Sequence, residues 1–188
     1  MFEIEIERDN MKKEISKMDI DNLKLIRENV RNLIKDCALN FDRSDYSVLD
    51  IAPQDHKGAS EFFHSASIKT LDLNPDSGAD IIADLCEDNS SFLAEEQFDL
   101  IICTEVLEHT LNPFAAVNEI YRLLKKGGTA AISTPFNFRI HGPLPDCWRF
   151  TEHGIRELFK NFSSVNINSL ESDSRELMPV HYLTIAGK

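Results

Sequence analysis

FDLIICTEVLEHTLNPFAAVNEIYRLLKKGGTAAIST, residues 98–134, carries the decision about the fold. It begins with FDLIIC (98–103), a near-continuous apolar run of the kind found in a parallel strand covered on both faces. A punctuated helix follows. Asn112 can cap it, and Pro113 stands at the first helical position, where a missing N–H costs nothing. Phe114, Val117, Ile120, Tyr121 and Leu124 share one face of that helix. Lys125 and Lys126 complement the C-terminal end of its dipole, and Gly127-Gly128 ends it. TAAIST (129–134) is then the next strand. Strand, helix and strand in this order imply a parallel sheet with helices against its faces.

Working outward, YSVLDIA (46–52) reads as the first strand, SIKTLDL (67–73) as the second and residues 79–83 as a short third, with a short helix over 58–64. Beyond residue 134, Thr151 can cap a helix carrying Ile155, Leu158 and Phe159. Two last strands, 163–170 and 180–186, are expected as an antiparallel pair at the sheet edge. The start of the chain is different. Ile20, Leu23, Ile26, Val30, Leu33, Ile34 and Cys37 recur at helical spacing, so residues 1–41 are a helical segment ahead of an α/β domain at 42–188. That helix either packs on the domain edge or caps a ligand pocket.

A chain of 188 residues, 42% apolar and 28% charged, fits one globular domain. The acidic start MFEIEIERDN is unlike a signal peptide, and no run approaches the roughly 18 apolar residues of a membrane span. A cytoplasmic location is therefore expected. The formal net charge of −12 weighs against nucleic acid and against an anionic membrane surface as partners. A small neutral or cationic ligand is easier to accommodate, and oligomeric state is not legible. Cys37, Cys86, Cys103 and Cys147 are too widely spaced for a zinc cluster or redox pair and read as free thiols.

In open α/β sheets, ligands bind beyond the carboxyl ends of the strands. The unusual residues of this chain fall there. Asp50 opens the loop after the first strand, in which only Gly58 supplies flexibility. Asp72 ends the second strand, where a carboxylate can take two hydrogen bonds from a ribose diol; it can equally shape the turn before Asn74-Pro75. Asp84 closes the third strand, as a ligand contact or a cap. After the fourth strand, Glu105, Glu108 and His109 share a face if the turn is helical. A histidine beside a carboxylate is a plausible general base, although a solvated turn is the plainer reading. The loop NFRIHGPLPDCWRFT holds His141, Asp146, Trp148 and Arg149. Trp148 either packs or walls a substrate pocket, and Arg149 either shapes the site or pairs with an acid.

Taken together, LDLNP, ADLCED, FDLIICTEVLEH, NPFAAVNEIYRLLKKGG and HGPLPDCWRFTEHG resemble class I S-adenosylmethionine-dependent methyltransferases of the Methyltransf_11 kind, over residues 46–160. The resemblance implies a single-domain, Rossmann-like seven-stranded sheet, order 3-2-1-4-5-7-6, with strand seven antiparallel. It implies S-adenosylmethionine as cofactor, with Asp72 at the ribose, Asp84 and Leu85 at the adenine, and Leu73 among the cofactor contacts. Asp50, Ala52 and Gln54 would meet the methionine end, with Thr104 and Glu105 alongside. The family pattern after the first strand is Asp-x-Gly-x-Gly, and here it stands as Asp50-Ile51-Ala52-Pro53-Gln54. Ala fits the first glycine position if its φ is negative; Gln54 either crowds the methionine end or contacts it through its amide.

The expected activity is methyl transfer to a small molecule, most simply at oxygen, with a sugar or glycan precursor as one acceptor class. His109 and His141 are the candidate bases, and Glu108, Asp146, Trp148 and Arg149 the candidate acceptor contacts. A binding or regulatory module that has lost cofactor use, and a protein methyltransferase, are the alternatives. With no convincing carboxylate trio, no metal is expected.

Overall fold

Side chains one residue apart along a strand point to opposite faces, and in this chain both faces are apolar. On β1 (Ser47–Ile51), Leu49 and Ile51 pack to one side and Val48 to the other. On β4 (Phe98–Thr104), Ile101 and Cys103 pack with the first set, Leu100 and Ile102 with the second. This double burial accounts for the unbroken run FDLIIC. The computed structural model describes residues 15–53, 57–172 and 175–188. The remaining strands are β2 (Ser67–Asp72), β3 (Ile81–Ile82), β5 (Leu124–Pro135), β6 (Ser164–Leu170) and β7 (His181–Gly187). The seven form one sheet, ordered β3-β2-β1-β4-β5-β7-β6. β7 runs antiparallel to both β5 and β6; the other pairings are parallel. This is the expected topology.

Helix α1 (Lys17–Phe41) is capped by Ser16, whose side chain accepts from the Asp19 N–H. Its Leu33, Ile34 and Cys37 pack against Val48, Leu100, Ile102 and Ala131 on one face of the sheet. Burying Leu33 and Ile34 contributes about 1.5–3 kcal/mol each. Burial also pushes the Cys37 thiol up to about 12. Among the described residues, all four cysteines are free. The opposite face is covered by α2 (Pro113–Leu123) and α3 (Glu152–Leu158) through Val117, Ile120, Leu123, Ile155 and Leu158. Asn112 and Thr151 cap these helices as expected, accepting from the Ala115 and Gly154 N–H groups. No described helix is long and apolar enough to cross a membrane.

One boundary differs. α2 ends at Leu123, so Leu124 and the Lys125–Gly128 stretch begin β5 rather than closing the helix. Tertiary pairing overrides the local helix-stop signal: Leu124 pairs with Phe98 across the sheet, and Lys125 Nζ lies 2.7 Å from Asp99 Oδ2 instead of facing the helix end. The register shift between Phe98 and Leu100 absorbs the glycines, and Gly127 takes a φ of 76°.

Candidate active site

A cleft of about 420 Å³ opens at the carboxyl ends of β1 and β4. Its floor is Asp50, Ala52, Thr104 and Glu105; α1 walls one side with Ile26, Val30 and Ile34, and His109 and His141 wall another. Arg27, Arg31, Lys57 and Glu61 also reach it, and Arg31 pairs with Glu61.

Asp50 is 3% exposed, and its Oδ2 accepts from the Ala59 N–H at 2.7 Å. Burial pushes its carboxyl up to about 6, with the Ala59 hydrogen bond pulling the other way. The chain can press so closely on this carboxylate only because residue 58 is glycine: a Cβ there would overlap Asp50 Oδ2 and crowd Pro53. Gly58 also sits at φ 53°. Ala52 has a φ of 49°, so the condition under which alanine would be a mild replacement, a negative φ, is not met. An alanine here adopts the left-handed conformation that the usual glycine takes without cost. Gln54 lies outside the described residues.

Along the same rim, Asp72 Oδ1 accepts from the Asn74 N–H at 2.8 Å, so the turn-forming role is realised. Asp84 Oδ1 accepts from the Cys86 N–H in the same way. Leu73 is exposed and Leu85 buried, and none of these four lines the cleft.

The turn after β4 is held more tightly than its sequence suggested. Glu105 takes a φ of 55°, its N–H donates to Ser133 Oγ, and its Oε1 accepts from Ser133 Oγ at 2.8 Å. Glu108 is fully buried rather than solvated, because the loop after β5 folds over it: the Cys147 and Trp148 N–H groups donate to its backbone carbonyl. Burial pushes the Glu108 carboxyl well above the usual carboxylate range, and the neighbouring Glu105 charge adds to this. His109 Nε2 and His141 Nε2 each lie 3.8 Å from Glu108 Oε1. His109 Nδ1 is 2.9 Å from the Pro145 carbonyl, and His141 Nδ1 is 3.1 Å from Asp146 Oδ2. Burial lowers the pKa of His141, against the pull of Asp146.

The other expected acceptor contacts lie away from the cleft. Arg149 chelates Asp146 at 2.5 and 2.7 Å and donates to the Phe138 and Arg139 carbonyls. Burial alone would raise the Asp146 carboxyl, but Arg149 and the His141 N–H bring it down to about 2. Trp148 stacks on Phe150, and its Nε1 donates to the Thr110 carbonyl. Trp148, Arg149 and Asp146 do not line the cleft; they fasten the loop that carries His141. Sequence reasoning missed His181, which is buried and meets Glu105. Only strand pairing brings it there.

A family model for the methyltransferase domain, Methyltransf_23, matches residues 22–173. A ubiquinone biosynthesis O-methyltransferase of Pseudomonas putida is 46% identical over 39 residues, which is 21% of this chain and 17% of that protein. The chain thus spans under a fifth of this relative. Among solved structures, a SAM dependent methyltransferase from Archaeoglobus fulgidus superposes with TM-score 0.61 at 17% identity, covering 88% of this chain and 99% of that one. The CurJ carbon methyltransferase superposes with TM-score 0.65 at 13% identity, covering 86% of this chain and 55% of that one. These structural likenesses speak for the fold.

Proposed function

The chain belongs to the methyltransferase domain family, with S-adenosylmethionine as its cofactor, and from that premise we propose that it methylates a small molecule, most simply at oxygen. A sugar or glycan precursor is the acceptor class we favour. The observation that carries the reading is the cleft itself, with the buried Asp50 carboxylate at its floor and a pair of imidazoles on one wall. Its volume suits a compact ligand. The net charge of −12 disfavours a polyanionic acceptor, and the aligned relative is by name an O-methyltransferase.

On this reading the rim would hold the cofactor. Asp72 would take the ribose hydroxyls, keeping Asn74 on one oxygen. Asp84 and Leu85 would flank the adenine, and Asp50, Ala52, Thr104 and Glu105 the methionine end. When bound, the cofactor supplies a methyl group already activated on a sulfonium. The chain is left to hold the acceptor in line, exclude water and take a proton. α1 excludes water through Ile26, Val30 and Ile34. The proton enters the cluster of His109, His141 and Glu108. The Pro145 carbonyl can only accept, so it fixes the His109 proton on Nδ1 and leaves a lone pair on Nε2. His141, its pKa lowered by burial, stays neutral near pH 7 and able to accept.

Calorimetric titration with S-adenosylmethionine and S-adenosylhomocysteine, followed by labelled-methyl transfer to hydroxylated small molecules, tests this. His109→Ala and His141→Ala should lower turnover and leave S-adenosylhomocysteine binding nearly intact. Absence of binding would favour a second reading, a module without cofactor use, for which the left-handed Ala52 is the motivating observation.

A further inference from the structure

Glu108 presents an unresolved charge problem. Both its carboxylate oxygens are buried and neither has a hydrogen-bond partner among the described residues. A buried carboxyl left this way costs several kcal/mol unless something meets it. The nearest polar atoms are the two imidazole Nε2 nitrogens, each 3.8 Å from Oε1. That is too long for a hydrogen bond, which closes to about 2.7–3.2 Å.

The tautomers sharpen the problem. The Pro145 carbonyl, 2.9 Å from His109 Nδ1, requires the proton there. Asp146 Oδ2 lies 3.1 Å from His141 Nδ1 but out of hydrogen-bond alignment, so this nitrogen is also unpartnered; the Asp146 carboxylate, held in place by Arg149, draws a proton to it by charge alone. Both Nε2 atoms therefore turn lone pairs toward a group that also offers lone pairs. With Glu108 ionised, three acceptors converge with no donor between them; a proton held by the carboxyl or a cation seated among the three resolves the conflict. The ligand-type atoms of Glu108, His109 and His141 all lie within 4.8 Å of one another.

We infer that this triad binds a divalent transition-metal ion through one carboxylate oxygen of Glu108, His109 Nε2 and His141 Nε2. Metal–ligand bonds of about 2.0–2.2 Å place neighbouring tetrahedral ligand atoms about 3.4 Å apart, so the two 3.8 Å contacts need a small contraction and the widest separation of the set, within 4.8 Å, a larger one. The surroundings are those of a metal centre. The distal nitrogen of one imidazole is held by a backbone carbonyl and that of the other faces a carboxylate, the partners that orient metal-bound histidines. Two imidazoles and one carboxylate suit zinc, iron or cobalt better than magnesium or calcium. Glu105, although nearby in sequence, is committed to Ser133 and His181 and stands outside the set. An ion can enter from the cleft, because His109 and His141 line it and are 14% and 23% exposed, while Glu108 closes the back. The ion's open coordination positions would then face the acceptor. Its role there rests on the methyltransferase reading and replaces direct proton acceptance by the imidazoles: with both Nε2 lone pairs on the ion, the metal would bind an acceptor hydroxyl and lower its pKa, the proton passing to solvent.

The test uses the full chain without an affinity tag, stripped by chelator and titrated with Co²⁺ as the spectroscopic probe, then with Zn²⁺ in competition. One equivalent of Co²⁺ should give visible absorption distinct from the aqueous ion, abolished by one equivalent of Zn²⁺. His109→Ala, His141→Ala and Glu108→Gln should each weaken Co²⁺ binding about tenfold or more. Should Glu108→Gln fail to fold, the two partly exposed histidines decide the matter. An absent Co²⁺ band, or one that survives in both histidine variants, would overturn the site. S-adenosylhomocysteine binding, measured separately by calorimetry, reports on the methyltransferase reading and can fail while the metal site stands.

Discussion

His181 Nε2 lies 2.6 Å from Glu105 Oε1, and the contact joins the last strand of the chain to the turn that follows its central strand. The imidazole is fully buried, and its Nδ1 faces the Asn29 amide nitrogen at 3.0 Å. With that amide donating to Nδ1, the ring proton sits on Nε2 and points at Glu105. One side chain therefore ties α1, β7 and the floor of the cleft together. It also helps hold Glu105 in its left-handed conformation, which costs a residue with a side chain about 1–2 kcal/mol.

His181→Ala should accordingly destabilise the chain by about 2–4 kcal/mol, through the cavity it leaves and the partners it strands. Ligand binding in the cleft should weaken too, since both Glu105 and α1 line it. Urea unfolding and calorimetry measure the two effects. A variant as stable as the parent would mean that Ser133 alone suffices to hold Glu105.

Asp72→Ala probes the ribose assignment. A carboxylate facing a diol makes charge-assisted hydrogen bonds, and losing them should cost about 2–3 kcal/mol of S-adenosylmethionine affinity, or about 30–150-fold. Asp72 also accepts from the Asn74 N–H, so the turn is perturbed as well. Asp72→Asn, which keeps an acceptor for that N–H, separates the contributions: most of the affinity loss should persist in it. Unchanged affinity in both variants would place the ribose elsewhere.

Ala52 and Gly58 make opposite predictions from the same backbone conformation. Ala52→Gly relieves a left-handed alanine and increases unfolded-chain entropy, for a net gain of about 0.5–1 kcal/mol. That corresponds to a Tm rise of about 1–4 °C for a domain of this size. Gly58→Ala imposes the left-handed penalty and drives a methyl into Asp50 Oδ2, a loss of about 2–4 kcal/mol. Thermal melts of the two variants should move in opposite directions. A drop for Ala52→Gly would show that the alanine methyl packs in a way that outweighs its backbone cost.

The strands and the helix caps were legible in the residues themselves, because each depends on neighbours within a few positions or on apolar patterning, whereas the sheet order came with the family resemblance. What was not legible depends on distant pairing. Lys125–Gly128 resembles a helix stop, yet β4 draws it into the sheet through Asp99 and Phe98. Glu108 looks like a solvated turn residue until the loop bearing Cys147 and Trp148 closes over it. His181 carries no local signal at all, since its partner Glu105 is 76 positions away. The sign of φ at Ala52 cannot be inferred from an alanine, although the family's glycine there was a hint.

Asp50 provides the test of pH dependence. Its carboxyl is raised from the ordinary 3.8 to about 6 by burial, so the folded chain holds this proton more tightly than the unfolded one. The sign follows from linkage: its contribution to stability is fully present below pH 3.8 and is lost as pH rises through about 6. At about 1.4 kcal/mol per pKa unit, the loss is on the order of 3 kcal/mol. Asp50→Asn removes the ionisation while leaving an oxygen to accept from the Ala59 N–H. The stability difference between Asp50→Asn and the parent should therefore grow by about 2–3 kcal/mol between pH 3.5 and 7.5, in favour of the variant. If Asp50 also meets the methionine end of the cofactor, as proposed, the same substitution should weaken S-adenosylmethionine binding at pH 7.5. Denaturant unfolding across that pH range reads the first effect and calorimetry the second. A stability difference independent of pH would mean that Asp50 is already neutral, or already compensated, throughout the range. A stabilised variant with undiminished binding would confine this carboxylate to shaping the loop around Gly58.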